Sequence, residues 1–136
     1  MINICKAEGK GAEKYFVLLI ITDGDITDMD DTIDAIIAAC AYPLSIIIVG
    51  VGNADFSKMN VLDGDEKGLQ GSKGQPAPRD IVQFVAMKDY TTQEAIYTKL
   101  PADLLAEVPN QLTEYMLQKE LGPVFELPPG EIKPNI

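Results

Sequence analysis

The sequence predicts an α/β domain in three layers, with about three parallel strands and flanking helices. Two apolar runs and the helix between them carry that prediction. Tyr15 to Ile21 (YFVLLII) is seven apolar residues without alternation, and Leu44 to Val51 (LSIIIVGV) is a second apolar, β-branched run. Strands covered on both faces read in this unbroken way, and seven residues are too few to cross a bilayer. Between the runs, Ile33, Ile36, Ile37 and Cys40 recur at the i, i+3, i+4, i+7 spacing of one helix face. Strand, helix and strand in succession make a βαβ unit with a right-handed crossover.

At 136 residues the chain fits one domain, able to bury roughly two-thirds of the surface its unfolded form exposes. Its 11 basic and 21 acidic residues leave a net charge of −10, which a phosphate backbone or anionic lipid surface would repel. Nucleic acid is therefore not an expected partner. Cys5 and Cys40 are too few for a disulfide framework, and there is no histidine to join them at a metal. The start, Met1 to Lys6, lacks the basic region and apolar core of a signal peptide, and Ile2 excludes an N-myristoylated glycine. We expect a cytoplasmic, soluble protein.

In chain order, residues 1–14 read as a flexible lead, because Lys6 to Lys14 is charged and carries two glycines. The first strand opens near Tyr15. Thr27 or Asp28 caps the following helix, with Asp30, Asp31 and Asp34 in its first turns, and Tyr42-Pro43 ends it. Cys40 belongs to the core by its spacing. Gly50-x-Gly52 resembles a dinucleotide fingerprint, but Asp55 occupies the third glycine position and opposes a pyrophosphate in sign. The two glycines instead serve a tight turn into a short helix that buries Phe56, Met59 and Leu62. Asp63 to Arg79 reads as a long, mobile surface loop. It is no calcium loop, since Lys67 and Gly74 stand where ligands belong. Ile81 to Val85, interrupted by Gln83, is a shorter strand nearer the sheet edge. Thr91 with Glu94 forms a capping box for a helix through about Lys99. Leu104, Leu105, Val108, Leu112, Tyr115 and Met116 then continue as one kinked or two abutting helices, with Pro101 and Pro109 in their first turns. Residues 120–136, rich in proline and glycine, read as an irregular tail.

The candidate chemistry lies at the carboxyl end of the first strand, where parallel sheets gather ligands. Asp23, Asp25, Asp28, Asp30 and Asp31 offer hard oxygen ligands suited to Mg²⁺, Mn²⁺ or Ca²⁺. Helix capping and the helix dipole account for the last three. Asp23 and Asp25 remain as candidate metal ligands. Alternatively, Asp23 orders the turn by accepting backbone amides.

Five blocks, YFVLLIITDGDITDMDDTIDAI, PLSIIIVGVGNADFSKM, LDGD, RDIVQFV and LLAEVPNQLTEYM, resemble in order and spacing the carboxyl-terminal half of a copine-type von Willebrand factor A domain. The resemblance spans residues 15–119. It implies a Rossmann-like, three-layer sheet and a protein-interaction module without catalysis. Such domains hold a divalent ion through an Asp-x-Ser-x-Ser loop, a threonine and the aspartate of a Thr-Asp-Gly turn, and Asp23 matches that last position. A partner's carboxylate often completes the ion's shell.

Asp-x-Ser-x-Ser occurs nowhere in the chain, so the resemblance implies a partial domain whose metal site is incomplete and binds Mg²⁺, Mn²⁺ or Ca²⁺ weakly. Copines are calcium-dependent phospholipid-binding proteins that reach the plasma membrane through paired lipid-binding modules. Those modules are not in this sequence, and no direct membrane binding is expected. In the family's strand order the three strands are neighbours, and the Tyr15 to Ile21 strand is left with a bare edge. That edge is expected to meet a protein partner or a second copy. One alternative is enzymatic. Asp23-x-Asp25-x-Thr27 resembles the nucleophile loop of haloacid-dehalogenase-type phosphatases, with Asp23 attacking phosphorus, Asp25 as acid/base and Mg²⁺ neutralising charge. Ile26 in place of the usual glycine and Ala86-Met87-Lys88 in place of an acidic pair weigh against it.

Overall fold

The structure, a computed structural model, describes residues 1–8, 14–24, 26–64 and 68–120. Its elements are α1 (Ile2–Glu8), β1 (Phe16–Thr22), α2 (Met29–Ala39), β2 (Leu44–Gly50), α3 (Ser57–Asp63), β3 (Val82–Ala86), α4 (Gln93–Leu105) and α5 (Val108–Gln118). The three strands are parallel, in the order β1-β2-β3, as the βαβ reading requires. Thr22 aligns with Gly50 and Gly50 with Ala86, so all three strands end on one line and their loops leave from a common rim.

Alternation of side chains gives the sheet its two faces. Leu44, Ile46, Ile48, Val82, Phe84 and Ala86 join one core cluster with Cys5, Ile36, Ala39, Cys40, Met59 and Leu62 from α1, α2 and α3. On the other face of β2, the Ser45 hydroxyl donates to Gln111 Oε1 of α5 at 2.6 Å. The Tyr15 hydroxyl, 2.8 Å from Ser45 Oγ, then donates to it, and the Tyr15 ring meets Tyr115 edge-on at 6.2 Å. Every residue of β2 is buried, as its unbroken apolar run predicts.

The equally apolar β1 is different. It is an edge strand, and Val17, Leu19, Ile20 and Ile21 are exposed, Ile21 to 65%. The apolar run was thus a correct sign of a strand but not of burial on both faces. On the α2 side Leu18 and Ile20 line a groove of about 670 Å³, together with Ile36, Ile46, Ile48 and Leu62.

Several further expectations need correction. Part of the supposed flexible lead is helix α1, because Cys5 is an apolar anchor that the core accepts at 2% exposure. Residues 9–13 lie outside the described residues, as does the tail from residue 121. Of the loop expected over Asp63 to Arg79, residues 65–67 lie outside the described residues, and residues 68–79 are held to the body rather than free. Leu69 is buried, Gln70 and Pro76 form an antiparallel bridge, and Asp34 of α2 accepts from both the Ser72 amide and its hydroxyl. At α4 the cap is Thr92, whose hydroxyl accepts from Ala95 N at 3.1 Å, rather than Thr91. That helix runs on through Pro101 to Leu105. Pro101 cannot donate to the Tyr97 carbonyl, and Tyr97 is 75% exposed, so the missing bond falls on the solvent side of the helix. Pro109 does sit in the first turn of α5, and Asp28 holds the N-cap position of α2 without a side-chain bond to the backbone.

The residue that joins these parts is Arg79, buried to 4% exposure. Its Nε donates to the Cys40 carbonyl at 2.9 Å, Nη2 to the Tyr42 and Leu44 carbonyls at 2.7 and 3.0 Å, and Nη1 to the Gln111 carbonyl at 3.3 Å. The guanidinium lies 5.2 Å from the Tyr115 ring centre. Removing it strands several buried carbonyls, each costing about 1–3 kcal/mol. Arg79→Ala is therefore expected to lower unfolding stability by about 3 kcal/mol or more in urea titrations, with Arg79→Lys recovering only part, since an ammonium lacks the planar fork.

Asp34 yields a pH prediction. The Ser72 hydroxyl and amide, in that order, hold its carboxyl below the ordinary value of 3.8. A lowered folded pKa contributes stability above the unfolded value, lost as pH falls through the folded one. The melting-temperature gap between the natural chain and Asp34→Asn is expected to stay constant from neutral pH to about pH 5 and to shrink below pH 3.8.

Candidate functional site at the carboxyl rim

The rim is built from three loops. After β1, Gly24 N donates to Thr22 Oγ1 at 3.3 Å, which folds Thr22-Asp23-Gly24 into a turn and leaves Asp23 exposed. Asp28 follows, its Oδ1 accepting from Thr32 Oγ1 at 3.4 Å, while Asp30 and Asp31 occupy the first turn of α2 and favour its positive end. The loop after β2 depends on its two glycines. A Cβ on Gly50 would come within 2.8 Å of the Phe56 ring, and Gly52 adopts φ +82°, the left-handed region. The glycines thus serve close packing and a turn, as expected. Asp55 Oδ1 then accepts from Ser57 N at 3.0 Å to start α3.

Two lysines cross the rim, and neither was identified from the sequence. Lys58 of α3 donates to the Ile26 carbonyl at 3.0 Å, and Lys88, beyond β3, donates to the Ala54 carbonyl at 3.3 Å while lying 5.4 Å from the Phe56 ring centre. A lysine reaching for a loop carbonyl leaves no pattern in sequence. Their effect is to tie the three loops together and to bring positive charge to the edge where a cation was expected.

Of the two candidate ligands, Asp23 lies at the rim and Asp25 lies outside the described residues. Among the described residues, no three or more His, Cys, Asp or Glu side chains converge on a point that could hold a metal ion. Among the described residues the site offers one exposed carboxylate, Asp23, and the Thr22 hydroxyl that Gly24 engages, against a shell of six or more oxygens for a divalent ion. Cys40 is core, as its spacing predicts. Its Sγ lies 3.4 and 3.3 Å from the Ile36 and Arg79 carbonyls, and burial pushes the thiol pKa up, which makes it a poor nucleophile. No helix among the described residues is long and apolar enough to cross a membrane.

Three parallel strands with flanking helices and an acidic turn at the carboxyl rim define an α/β fold consistent with a partial von Willebrand factor A-like domain. The family model described as Copine matches residues 1–124. The chain is 50% identical over 118 residues to Copine-A of Dictyostelium discoideum, covering 87% of this chain and 19% of that protein. It is 49% identical over 120 residues to Protein BONZAI 2 of Arabidopsis thaliana (88% and 20%) and 49% identical over 116 residues to Protein BONZAI 1 of the same plant (85% and 20%). The chain belongs to the copine family. It spans about a fifth of the length of these relatives.

The rim's packing is open to test. Gly50→Ala forces the added methyl against the Phe56 ring, and overpacking of this kind costs about 1–3 kcal/mol. Gly24→Ala meets nothing within 4 Å and is expected to change stability by less than about 0.5 kcal/mol. Thermal melts of the two variants check the contrast.

Proposed function

We propose that the chain is a non-catalytic, protein-binding module of the copine type, which meets its partner through β1 and the rim beside it. The observation that carries this reading is the exposure of an apolar, uncharged edge strand, with Val17, Leu19 and Ile21 at 44, 54 and 65%. Monomeric surfaces rarely leave such a row open, and strand edges with apolar side chains are ready templates for pairing. Asp23, with Asp25, acts in this reading as the remnant of a divalent-ion site, weak in this chain because most of the coordination shell falls to water. The partner is a protein of the cytoplasm. Association with the plasma membrane belongs to longer copines and their lipid-binding modules, with no direct membrane contact by this chain.

The phosphatase alternative gains nothing from the family match, and its acid/base candidate, Asp25, lies outside the described residues. Two measurements test the reading. Titration with Mg²⁺, Mn²⁺ or Ca²⁺ is expected to give a Kd of about a millimolar or weaker, the range of poorly charged oxygen sites. Submicromolar binding that Asp23→Asn abolishes would overturn the incomplete site. A generic phosphate ester with Mg²⁺ is expected to show no turnover above background, and turnover lost in Asp23→Asn would overturn the non-catalytic reading.

A further inference from the structure

We infer that Asp23-Gly24 is a site of spontaneous covalent modification, at which the chain isomerises from an aspartyl to an isoaspartyl linkage, while the fold protects the twin motif Asp63-Gly64. This chemistry is independent of what the strand or the rim binds.

The chain holds two Asp-Gly-Asp triads, Asp23 to Asp25 after Thr22 and Asp63 to Asp65 after Leu62. An aspartate before glycine is prone to cyclise, because glycine has no Cβ to shield its amide nitrogen or to restrict the backbone. In the first step the Gly24 nitrogen attacks Cγ of Asp23. An N–Cγ bond forms, and one carboxylate oxygen leaves as water, carrying the amide proton and one proton taken from solvent. In the second step water adds to the main-chain carbonyl carbon of Asp23 in the five-membered imide. The bond from that carbon to Gly24 N breaks, the nitrogen takes a proton from the water, and the new α-carboxyl returns one to solvent. The main chain then runs through Cβ and Cγ of residue 23. Mass and charge are unchanged, and the carboxylate at the rim is no longer an aspartate side chain.

The two motifs differ in what holds them. Asp23 lies exposed in a bend beyond the end of β1, and none of the described residues bonds its carboxylate. Gly24 N donates to Thr22 Oγ1 at 3.3 Å, longer than an ordinary N–H···O bond, and a Cβ built on Gly24 meets nothing within 4 Å. Both reacting groups are therefore able to approach. Asp63 is the last residue of α3, and its Oδ1 accepts from the Phe84 amide at 2.6 Å. A Cβ built on Gly64 would lie 3.6 Å from the Leu69 side chain. Closing the ring at Asp63 thus means releasing a charge-assisted hydrogen bond to β3 and unwinding the last turn of α3.

The test ages the whole chain at neutral pH and body temperature. Trypsin then separates the motifs into residues 15–58 and 59–67. Electron-transfer fragmentation identifies isoaspartate by cleavage of the Cα–Cβ bond, which only the isomer places in the main chain. In the folded chain, isoaspartate is expected to accumulate at Asp23 at least about tenfold faster than at Asp63, the factor that one charge-assisted hydrogen bond adds to a barrier. In guanidinium chloride the two rates are expected to converge. Gly24→Ala, which the packing tolerates, is expected to slow the reaction at Asp23 several-fold, since the methyl group shields the attacking nitrogen. Equal rates at the two motifs in the folded chain would overturn the assignment. So would a rate at Asp23 far lower in the folded chain than in guanidinium chloride, which would show that the turn protects it.

Discussion

Arg79 carries a positive charge into the middle of the fold and spends it on carbonyls. Its targets lie at one corner. Pro43 stops α2 shortly before β2 begins, and the corner presents the Cys40, Tyr42 and Leu44 carbonyls to one side chain, the Tyr42 carbonyl also accepting from the Leu44 amide at 2.8 Å. The guanidinium fork reaches all three and adds the Gln111 carbonyl of α5. One side chain thereby fixes the α2-to-β2 corner, the approach to β3 and the seat of α5 against β2. Tyr115 lies under it, its hydroxyl pKa raised mainly by burial, and joins Tyr15 to the same assembly. A carbonyl-lined socket suits arginine, which stays charged and offers donors in a rigid plane.

That knot sits at the amino end of the sheet, which leaves the carboxyl rim to lighter ties. Lys58 and Lys88 hold loop carbonyls there, and the Phe56 ring fills the space that Gly50 leaves open. Heavier and lighter ties are thus divided between the two ends. The sheet's ordering is divided as well: β2 is buried along its whole length and β3 nearly so, while β1 depends on a single neighbouring strand.

Much of this was legible in the sequence because it rests on local rules. Apolar runs marked β1 and β2, the spacing of Ile33, Ile36 and Cys40 marked α2, and Pro43 and Pro109 marked boundaries. Long-range side-chain contacts were not legible. Nothing local distinguishes Arg79 from a solvated arginine at the end of a polar loop, and Asp34 reads as a helix-dipole residue although it binds Ser72. Cys5 lies among charged neighbours that suggest a loose lead. The exposure of β1 is the instructive case, because composition reports what a strand is made of and topology decides what covers it. At the rim the sequence located Asp23, but the loop-tying lysines depend on geometry that no spacing encodes.

The same division explains how an acidic chain can carry so apolar an edge. Charge acts over about 8–10 Å in physiological salt and keeps copies apart at long range, whereas strand pairing acts only at contact. A strand with no charge of its own is spared the direct opposition of like charges once contact is made. At the other edge of the sheet Asp80 and Asp63 take the outward amides of Val82 and Phe84.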